Sequence, residues 1–125
     1  MILSSIFITI LLIALYLVLK KLFFSVKIRS YLPYEIKDKL KTTNDLILLD
    51  VRTIPEHKSQ SIKGSLHIPL QELDRRNSEL NKYKNKVIIC YCQSGNRSRI
   101  AAVKLKKFGF NSANLGGGIK NWNFN

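Results

Sequence analysis

Hydrophobic and polar positions divide the chain into two unlike parts. Residues 2–19 carry no charged side chain and are mostly Leu, Ile, Val and Phe, with Ser4, Ser5 and Thr9 as the polar interruptions. A helix over this segment would be roughly 27 Å long at about 1.5 Å per residue, close to the bilayer hydrocarbon core of about 30 Å. From residue 20 onward, apolar stretches are short and are separated by charged, glycine and proline positions. The pattern predicts an apolar N-terminal helix followed by a globular domain.

In the globular part, short apolar stretches alternate with segments of helical periodicity. The apolar stretches are too short for helices and are typical of strands buried on both faces of a sheet. Within the segment 71–83, Leu73 and Leu80 are expected to face inward from a helix that is otherwise charged. Strands alternating with helices predict an α/β fold with a parallel sheet flanked by helices. The predicted strands are 46–51, 64–69, 86–91 and 112–115, and the predicted helices are 32–40, 71–83 and 98–108.

The apolar N-terminal segment predicts a transmembrane anchor over residues 1–24. Lys20 and Lys21 can snorkel, which lets the next three apolar residues lengthen the span. A cleavable signal peptide is the alternative, but no Lys or Arg precedes the apolar run and no A-x-A-like cleavage site follows it. A basic juxtamembrane linker over 25–31 and a globular domain over 32–125 complete the predicted organisation.

Charge asymmetry predicts the topology of this anchor. Lys20, Lys21, Lys27 and Arg29 follow the apolar segment with no acidic residue among them, whereas only the α-amino group precedes it. The positive-inside rule then places the C-terminal domain in the cytoplasm, as a single-pass protein of the inner (plasma) membrane of a bacterial cell. The same charges would hold the linker against anionic lipid headgroups, so the lipid bilayer is an expected partner.

The composition bears on nucleic-acid binding, disulfides and metals. The net charge is +13, but the basic residues are spread along the chain without interleaved aromatic residues, so we expect no nucleic-acid partner. The two cysteines, Cys90 and Cys92, are expected to point to opposite faces of an extended segment, which predicts no disulfide between them. No Cys/His cluster has zinc-site spacing, and neither a metal nor a cofactor is predicted.

The segment most indicative of chemistry is Cys92-Gln93-Ser94-Gly95-Asn96-Arg97-Ser98, which follows a predicted buried strand and enters a predicted helix. A glycine-containing loop at this junction can turn several backbone N–H groups toward an anion, helped by the positive helix N-terminus. A cysteine there is expected to have a lowered pKa and to be the nucleophilic thiolate. Arg97 adds a forked cationic donor, and Ser98 fits a helix cap or a further donor. Cys90, inside the strand, is expected to be a buried inert thiol.

Four motifs, in order, make residues 32–122 resemble a rhodanese-like domain, the sulfurtransferase module. The string from Tyr91 to Ser98 resembles the family's Y-C-x-S-G-x-R-S active loop and is the most specific of the four. The other three are Asp50-Val51-Arg52 with Glu56, similar to D-V-R-x-x-x-E; Ile62-Lys63-Gly64-Ser65 with Ile68-Pro69, similar to I-x-G-A…I-P; and Leu115 to Gly118 with Trp122, similar to L-x-G-G…W.

The resemblance implies that Cys92 is the nucleophile and carries sulfur as a persulfide. The sulfur would come from a small donor, thiosulfate or a persulfide, and would pass to cyanide or a thiol. The backbone amides of residues 93–98 and the charge of Arg97 would bind the donor. The implied binding residues are Gln93, Ser94, Gly95, Asn96, Arg97 and Ser98. Outside the loop, the resemblance implies structural roles for Asp50, Arg52 and Glu56, in buried polar pairs at the strand end, and for Trp122, in the core.

Two other functions stay open on the sequence. Related cysteine phosphatases place one residue more between the cysteine and the arginine, and no residue outside the loop is an obvious general acid, so a phosphatase is the weaker enzyme hypothesis. The anchor suggests the other alternative, a membrane-tethered interaction module that keeps the rhodanese fold and binds a membrane-protein or soluble partner with little catalysis. Gln93 and Ser61 depart from the family pattern, which often has a basic residue and a histidine there. His57 and His67 are interpreted as packing or surface residues.

Overall fold

The computed structural model describes residues 1–24 and 26–124. Ser25, in the expected linker, and Asn125, at the expected domain end, lie outside the described residues. Within the described part, the strands are β1 (Ser30–Tyr31), β2 (Leu46–Asp50), β3 (Leu66–His67), β4 (Val87–Tyr91) and β5 (Asn111–Leu115). They form one sheet in the order β1-β5-β4-β2-β3, and every pairing is parallel.

A helix lies between each pair of consecutive strands. The α-helices are α1 (Ile2–Phe24), α2 (Pro33–Thr42), α3 (Ile54–Ser59), α4 (Leu73–Arg76) and α5 (Asn96–Lys107). Short 3₁₀ segments cover Leu70–Glu72, Asn77–Tyr83 and Ile119–Asn121. The predicted fold class, an α/β parallel sheet flanked by helices, is confirmed.

The central strand β4 determines where the site lies. Ile88, Ile89 and Cys90 are fully buried, because side chains alternate between the two faces of the sheet and both faces are covered. β2 and β4 pair in register up to Asp50 and Tyr91 at their last residues. The carboxyl ends of the two strands therefore meet, and the chain leaves β4 into the loop that begins with residue 92.

The two cysteines lie on the same face of the sheet. Cys90 and Cys92 belong to one apolar cluster together with Ile88, whereas Ile89 and Tyr91 belong to the cluster on the other face. The expectation of opposite faces is wrong, because residues two apart along a strand share a face. Both cysteines are free thiols.

The segment 71–83, predicted to be one helix, is instead the single α-helical turn of α4 with 3₁₀ structure on both sides. Asn77 interrupts the regular helix, since its side-chain amide donates to the backbone oxygen of Asp74 at 2.9 Å. Asparagine and serine side chains compete for backbone groups in this way and weaken helices. Leu73 and Leu80 are nevertheless buried, as the pattern predicts.

Two elements are not indicated by the hydrophobic pattern. β1 is only two residues long and lies within the expected linker, where it pairs with β5. α3 buries no side chain and therefore shows no apolar periodicity. Its start is instead a capping box, in which the Thr53 hydroxyl accepts from the Glu56 N–H and a Glu56 carboxylate oxygen accepts from the Thr53 N–H.

The predicted helices 32–40 and 98–108 correspond to α2 and α5, but they bury fewer apolar residues than the pattern suggests. Ile36 is fully buried against the sheet. Tyr34 and Leu40 of α2, together with Ile100 and Phe108 near the two ends of α5, are at least 37% exposed. These four side chains are not part of the buried core, and the smaller Ala101 and its neighbours make the contacts of α5.

α1 is a candidate membrane span. Its segment Ile2–Leu22 is long and apolar enough to cross a bilayer, and none of it is buried in the protein. A signal sequence near an N-terminus can meet the same requirement of length and hydropathy, so the anchor remains a prediction.

Candidate functional site

Cys92 follows the last residue of β4 and is 1% exposed. The backbone N–H of Gly95 donates to its Sγ at 3.1 Å, and the Ser98 hydroxyl oxygen lies 3.3 Å from Sγ. The chain can turn this tightly because Gly95 has a φ of 110°, which favours glycine. α5 begins immediately afterwards, so the N-terminal N–H groups of the helix lie beside the sulfur.

The loop favours the thiolate of Cys92. Burial by itself raises the pKa of this thiol, but hydrogen bonds from the Ser98 side chain and from the backbone N–H groups of Ser98, Gly95 and Ser94 lower it. The net effect is a pKa below the ordinary thiol value. Burial raises the pKa of Cys90 instead, since that thiol is fully enclosed in β4. Of the two cysteines, Cys92 therefore has the electrostatics of a nucleophile.

Asn114 is part of the site, and sequence reasoning missed it. The Ser98 hydroxyl donates to Oδ1 of Asn114 at 2.6 Å. A hydroxyl has one proton, so while Asn114 accepts it, the contact with sulfur requires the Cys92 S–H to donate to Ser98. When Cys92 is a thiolate, Ser98 can donate to sulfur only by leaving Asn114. The one signal in the sequence is an asparagine one residue before the end of the predicted strand 112–115.

Arg97 points to Glu56. Its Nη1 and Nη2 donate to the two carboxylate oxygens of Glu56 at 2.7 and 2.9 Å. The guanidinium lowers the pKa of Glu56 to about 2, and Glu56 also caps α3 through Thr53. This ion pair joins the first turn of α5 to the start of α3. The Glu56 carboxylate compensates the positive charge of Arg97 in the loop.

The remaining predicted loop residues contribute mainly backbone groups. Three of them, Gln93, Ser94 and Asn96, are exposed. The backbone oxygens of Cys92 and Gln93 accept from the N–H groups of Ile119 and Lys120 at 2.9 and 3.3 Å. The loop is thus held from outside by the chain that follows β5.

Gly118 makes this contact possible. A Cβ on Gly118 would lie only 2.6 Å from the backbone oxygen of Cys92, and still closer to that of Gln93. The glycine-rich end of the domain is therefore in direct backbone contact with the cysteine loop. Trp122, which follows it, is 8% exposed and lies in a core cluster.

A buried polar network fixes the neighbouring end of β2. The Asp50 carboxylate accepts from the Arg52 guanidinium at 2.7 Å and from Nδ1 of His57 at 2.9 Å. Burial raises the pKa of Asp50, but these bonds outweigh it and leave the pKa lowered. The His57 ring stacks on the His67 ring with 4.2 Å between centroids, and Nε2 of His67 donates to the Arg52 carbonyl at 2.7 Å.

The site can therefore bind an anion and present a nucleophilic sulfur to it. Backbone N–H groups and a helix N-terminus surround Sγ, while no three His, Cys, Asp or Glu side chains among residues 1–24 and 26–124 form a metal-binding group. Residues 32–125 match the family profile described as the Rhodanese-like domain. The chain belongs to the rhodanese-like family.

Two relatives of this rhodanese-like chain are named for sulfur chemistry. It is 41% identical over 87 residues to the Bacillus subtilis protein YrkF, named for a proposed role as a sulfur carrier, and covers 46% of that protein and 69% of its own length. The chain thus spans about half the length of this relative. It is 36% identical over 88 residues to a sulfurtransferase of Allochromatium vinosum, with 80% of that protein and 70% of this chain covered.

A solved structure has a similar fold. A crystal structure of a Staphylococcus saprophyticus protein superposes with a TM-score of 0.70 at 27% identity, covering 76% of this chain and 93% of the other. The family and its relatives support a rhodanese-type transferase and sulfur transfer in general.

Proposed function

We propose that this chain is a membrane-anchored rhodanese-like sulfurtransferase that moves sulfane sulfur through a persulfide on Cys92. One observation carries the proposal. The Cys92 thiol lies at the start of α5 with loop N–H groups directed at its sulfur, and its pKa is lowered. A thiolate that is already formed needs no separate base to become a nucleophile.

In the first half-reaction, the Cys92 thiolate attacks the outer sulfur of thiosulfate. A bond forms between Sγ and this sulfur, the sulfur–sulfur bond of thiosulfate breaks, and sulfite leaves with the electron pair. In the second half-reaction, cyanide or a thiolate attacks the outer sulfur, the Sγ–S bond breaks, and Cys92 becomes a thiolate again. With cyanide the product is thiocyanate, and with a persulfide donor a thiolate leaves in place of sulfite.

The persulfide is proposed to be held by the backbone N–H groups of residues 93–98. Gly95 already donates to Sγ, and the N-terminal end of α5 adds a positive potential. The guanidinium of Arg97 is paired with Glu56. We therefore propose that Arg97 mainly stabilises the loop and contributes less to donor binding than the backbone N–H groups do. Gln93, Ser94 and Asn96 form the exposed outer side of the loop, where the donor would arrive.

The proposed location is the cytoplasmic side of the plasma membrane. Residues 1–24 would be the anchor, 25–31 the basic linker and 32–125 the domain. The exposed apolar surface of α1 and the lysines and arginine after it support this arrangement. A reporter fused after Asn125 should be active in the cytoplasm, and activity in the periplasm would contradict the orientation.

The activity test uses the full chain, purified in a nonionic detergent with its thiols reduced. We expect thiocyanate from cyanide with either thiosulfate or glutathione persulfide as donor. Cys92→Ser should abolish it, and the matched control Cys90→Ala should keep it, because Cys90 lies inside the core. Failure with both donors, while the protein is folded, would contradict the proposal and favour the interaction module.

A further inference from the structure

The parallel sheet brings the ends of several elements to one edge. All strands run in the same direction, and their register brings the amino ends of β2, β4 and β5 to one edge, because Leu46 pairs with Val87 and Val87 pairs with Asn111. α2 leads into β2, α5 into β5 and residues 84–86 into β4, so these three segments end at this edge. This edge is opposite to Cys92, which follows the carboxyl end of β4.

The side chains at this amino-terminal edge are strongly basic. α2 has Lys39 and Lys41 in its last turn, and α5 has Lys106 and Lys107. We define the amino-end face as the basic residues that these segments and the start of the linker place there: Lys27, Lys39, Lys41, Lys84, Lys86, Lys106 and Lys107. The acidic residues in the same segments are Asp38 in α2 and Asp45 before β2. Lysines in the last turn of a helix complement its dipole, but that does not account for the basic residues of the linker or of 84–86.

The linker is held on this face. Nζ of Lys106 donates to the backbone oxygen of Lys27 at 3.0 Å. The backbone oxygen of Arg29 accepts from the N–H of Asn114 at 2.9 Å, which continues the pairing of β1 with β5. The polypeptide that leaves α1 thus crosses the amino-end face before it enters the sheet.

The end of α1 must lie close to this face. Lys27, which Lys106 holds on this face, follows the last residue of α1 by three residues, a distance of at most roughly 11 Å at about 3.6 Å per residue. Lys20 and Lys21 at the end of α1 continue the positive charge. If α1 spans a bilayer, the amino-end face lies within reach of the headgroups on the side where α1 emerges.

We infer that the amino-end face docks on anionic lipid headgroups and so holds the domain upright, with the Cys92 loop turned away from the bilayer. The inference rests on the membrane anchoring proposed above. β4 separates the two edges by roughly 17 Å, at about 3.3 Å per residue. The sulfur donor and acceptor would therefore reach Cys92 from the aqueous side, as water-soluble molecules or as thiols of soluble proteins.

The test is amine footprinting of the full chain in nanodiscs. Nanodiscs of phosphatidylcholine alone are compared with nanodiscs that also contain phosphatidylglycerol, and acetylation of each lysine is followed by mass spectrometry. We expect several-fold slower labelling of Lys39, Lys41 and Lys107 in the anionic nanodiscs. Lys58, Lys63 and Lys120, which lie toward the carboxyl edge, serve as internal controls and should label at equal rates. Salt at about 1 M, where the Debye length is about 3 Å, should remove the difference.

Charge reversal provides the second readout. The triple variant Lys39→Glu, Lys41→Glu, Lys107→Glu should lose the protection of Lys84 in anionic nanodiscs. The matched variant Lys58→Glu, Lys63→Glu, Lys120→Glu should keep it.

Three results would overturn the inference, and they differ in what they say of the anchor. Equal labelling of all lysines in both nanodiscs, with the protein inserted, refutes the docking and leaves the anchor intact. Protection of Lys58, Lys63 and Lys120 instead would mean that the Cys92 edge faces the lipid. Failure of the chain to co-elute with nanodiscs would refute the anchor and the docking together.

Discussion

Gly118 offers a direct test of how the cysteine loop is held in place. Its φ of 71° and ψ of −168° lie in a region that only glycine populates readily. In Gly118→Ala, the new Cβ would come within 2.6 Å of the Cys92 oxygen, and closer still to that of Gln93. We expect a backbone cost of about 1–3 kcal/mol. Relief of the contact requires the loop to move by roughly 1 Å.

This displacement should affect reactivity more than stability. A shift of about 1 Å in a reacting group can cost about 100-fold in rate, so sulfur transfer should fall by roughly that factor. The matched control is Gly109→Ala, which also has a positive φ, 91°, but has no atom within 4 Å of the added Cβ. The control should lose about 1 kcal/mol and keep its activity.

The assay measures both quantities on the full chain in nonionic detergent. Unfolding by urea is followed through the fluorescence of Trp122, the one tryptophan in the sequence, which is 8% exposed. Sulfur transfer is followed as thiocyanate formation. If Gly118→Ala and Gly109→Ala lose equal stability and equal activity, the backbone contact does not hold the loop and the reasoning fails.

Three further predictions concern side chains. Ser98→Ala should raise the pKa of Cys92 and so move the pH midpoint of Cys92 alkylation upward. The control Ser94→Ala keeps the backbone N–H of residue 94 and should leave the midpoint unchanged. Equal midpoints in the two variants would contradict the role of the Ser98 hydroxyl. The pKa of Glu56 is about 2 in the folded protein, against an ordinary value of 4.5. The contribution of Glu56 to the free energy of unfolding is therefore fully present above pH 4.5 and is lost as the pH falls toward 2. Both partners are about a third exposed, 35% for Arg97 and 33% for Glu56, and screening reduces this contribution to about 1 kcal/mol. Urea titrations should show it in the wild type and not in Glu56→Gln. Asp50→Ala should cost about 3–5 kcal/mol in the same titrations, because it leaves the buried Arg52 charge without its carboxylate, and a loss below about 1 kcal/mol would contradict that.

Hydrophobic pattern was enough to predict the long strands and the position of the cysteine. β2 and β4 are covered on both faces, so their residues are apolar, except for Asp50 at the end of β2, and the strands are easy to recognise. β1 is a two-residue strand, too short to carry a pattern, and of the predicted strand 64–69 only the two residues of β3 are strand. α3 buries nothing, so its cap rather than its periodicity defines it.

The candidate site was predictable where contacts are local and unpredictable where they are distant in sequence. Gly95 and Ser98 lie within six residues of Cys92, and one loop motif places them together. The partner of Arg97 is Glu56, which is 41 residues away, and only the pairing of β2 with β4 brings them together. The hydrogen bond from Ser98 to Asn114 likewise depends on β5 lying beside β4.

The central claim is that Cys92 accepts a sulfur atom. The most direct measurement incubates the reduced full chain with thiosulfate in the absence of oxygen and determines its intact mass. The account predicts a gain of one sulfur atom, mapped to Cys92, that cyanide removes and that Cys92→Ser does not show. No gain from thiosulfate or from a persulfide donor, with the protein folded and Cys92 reduced, would contradict the claim.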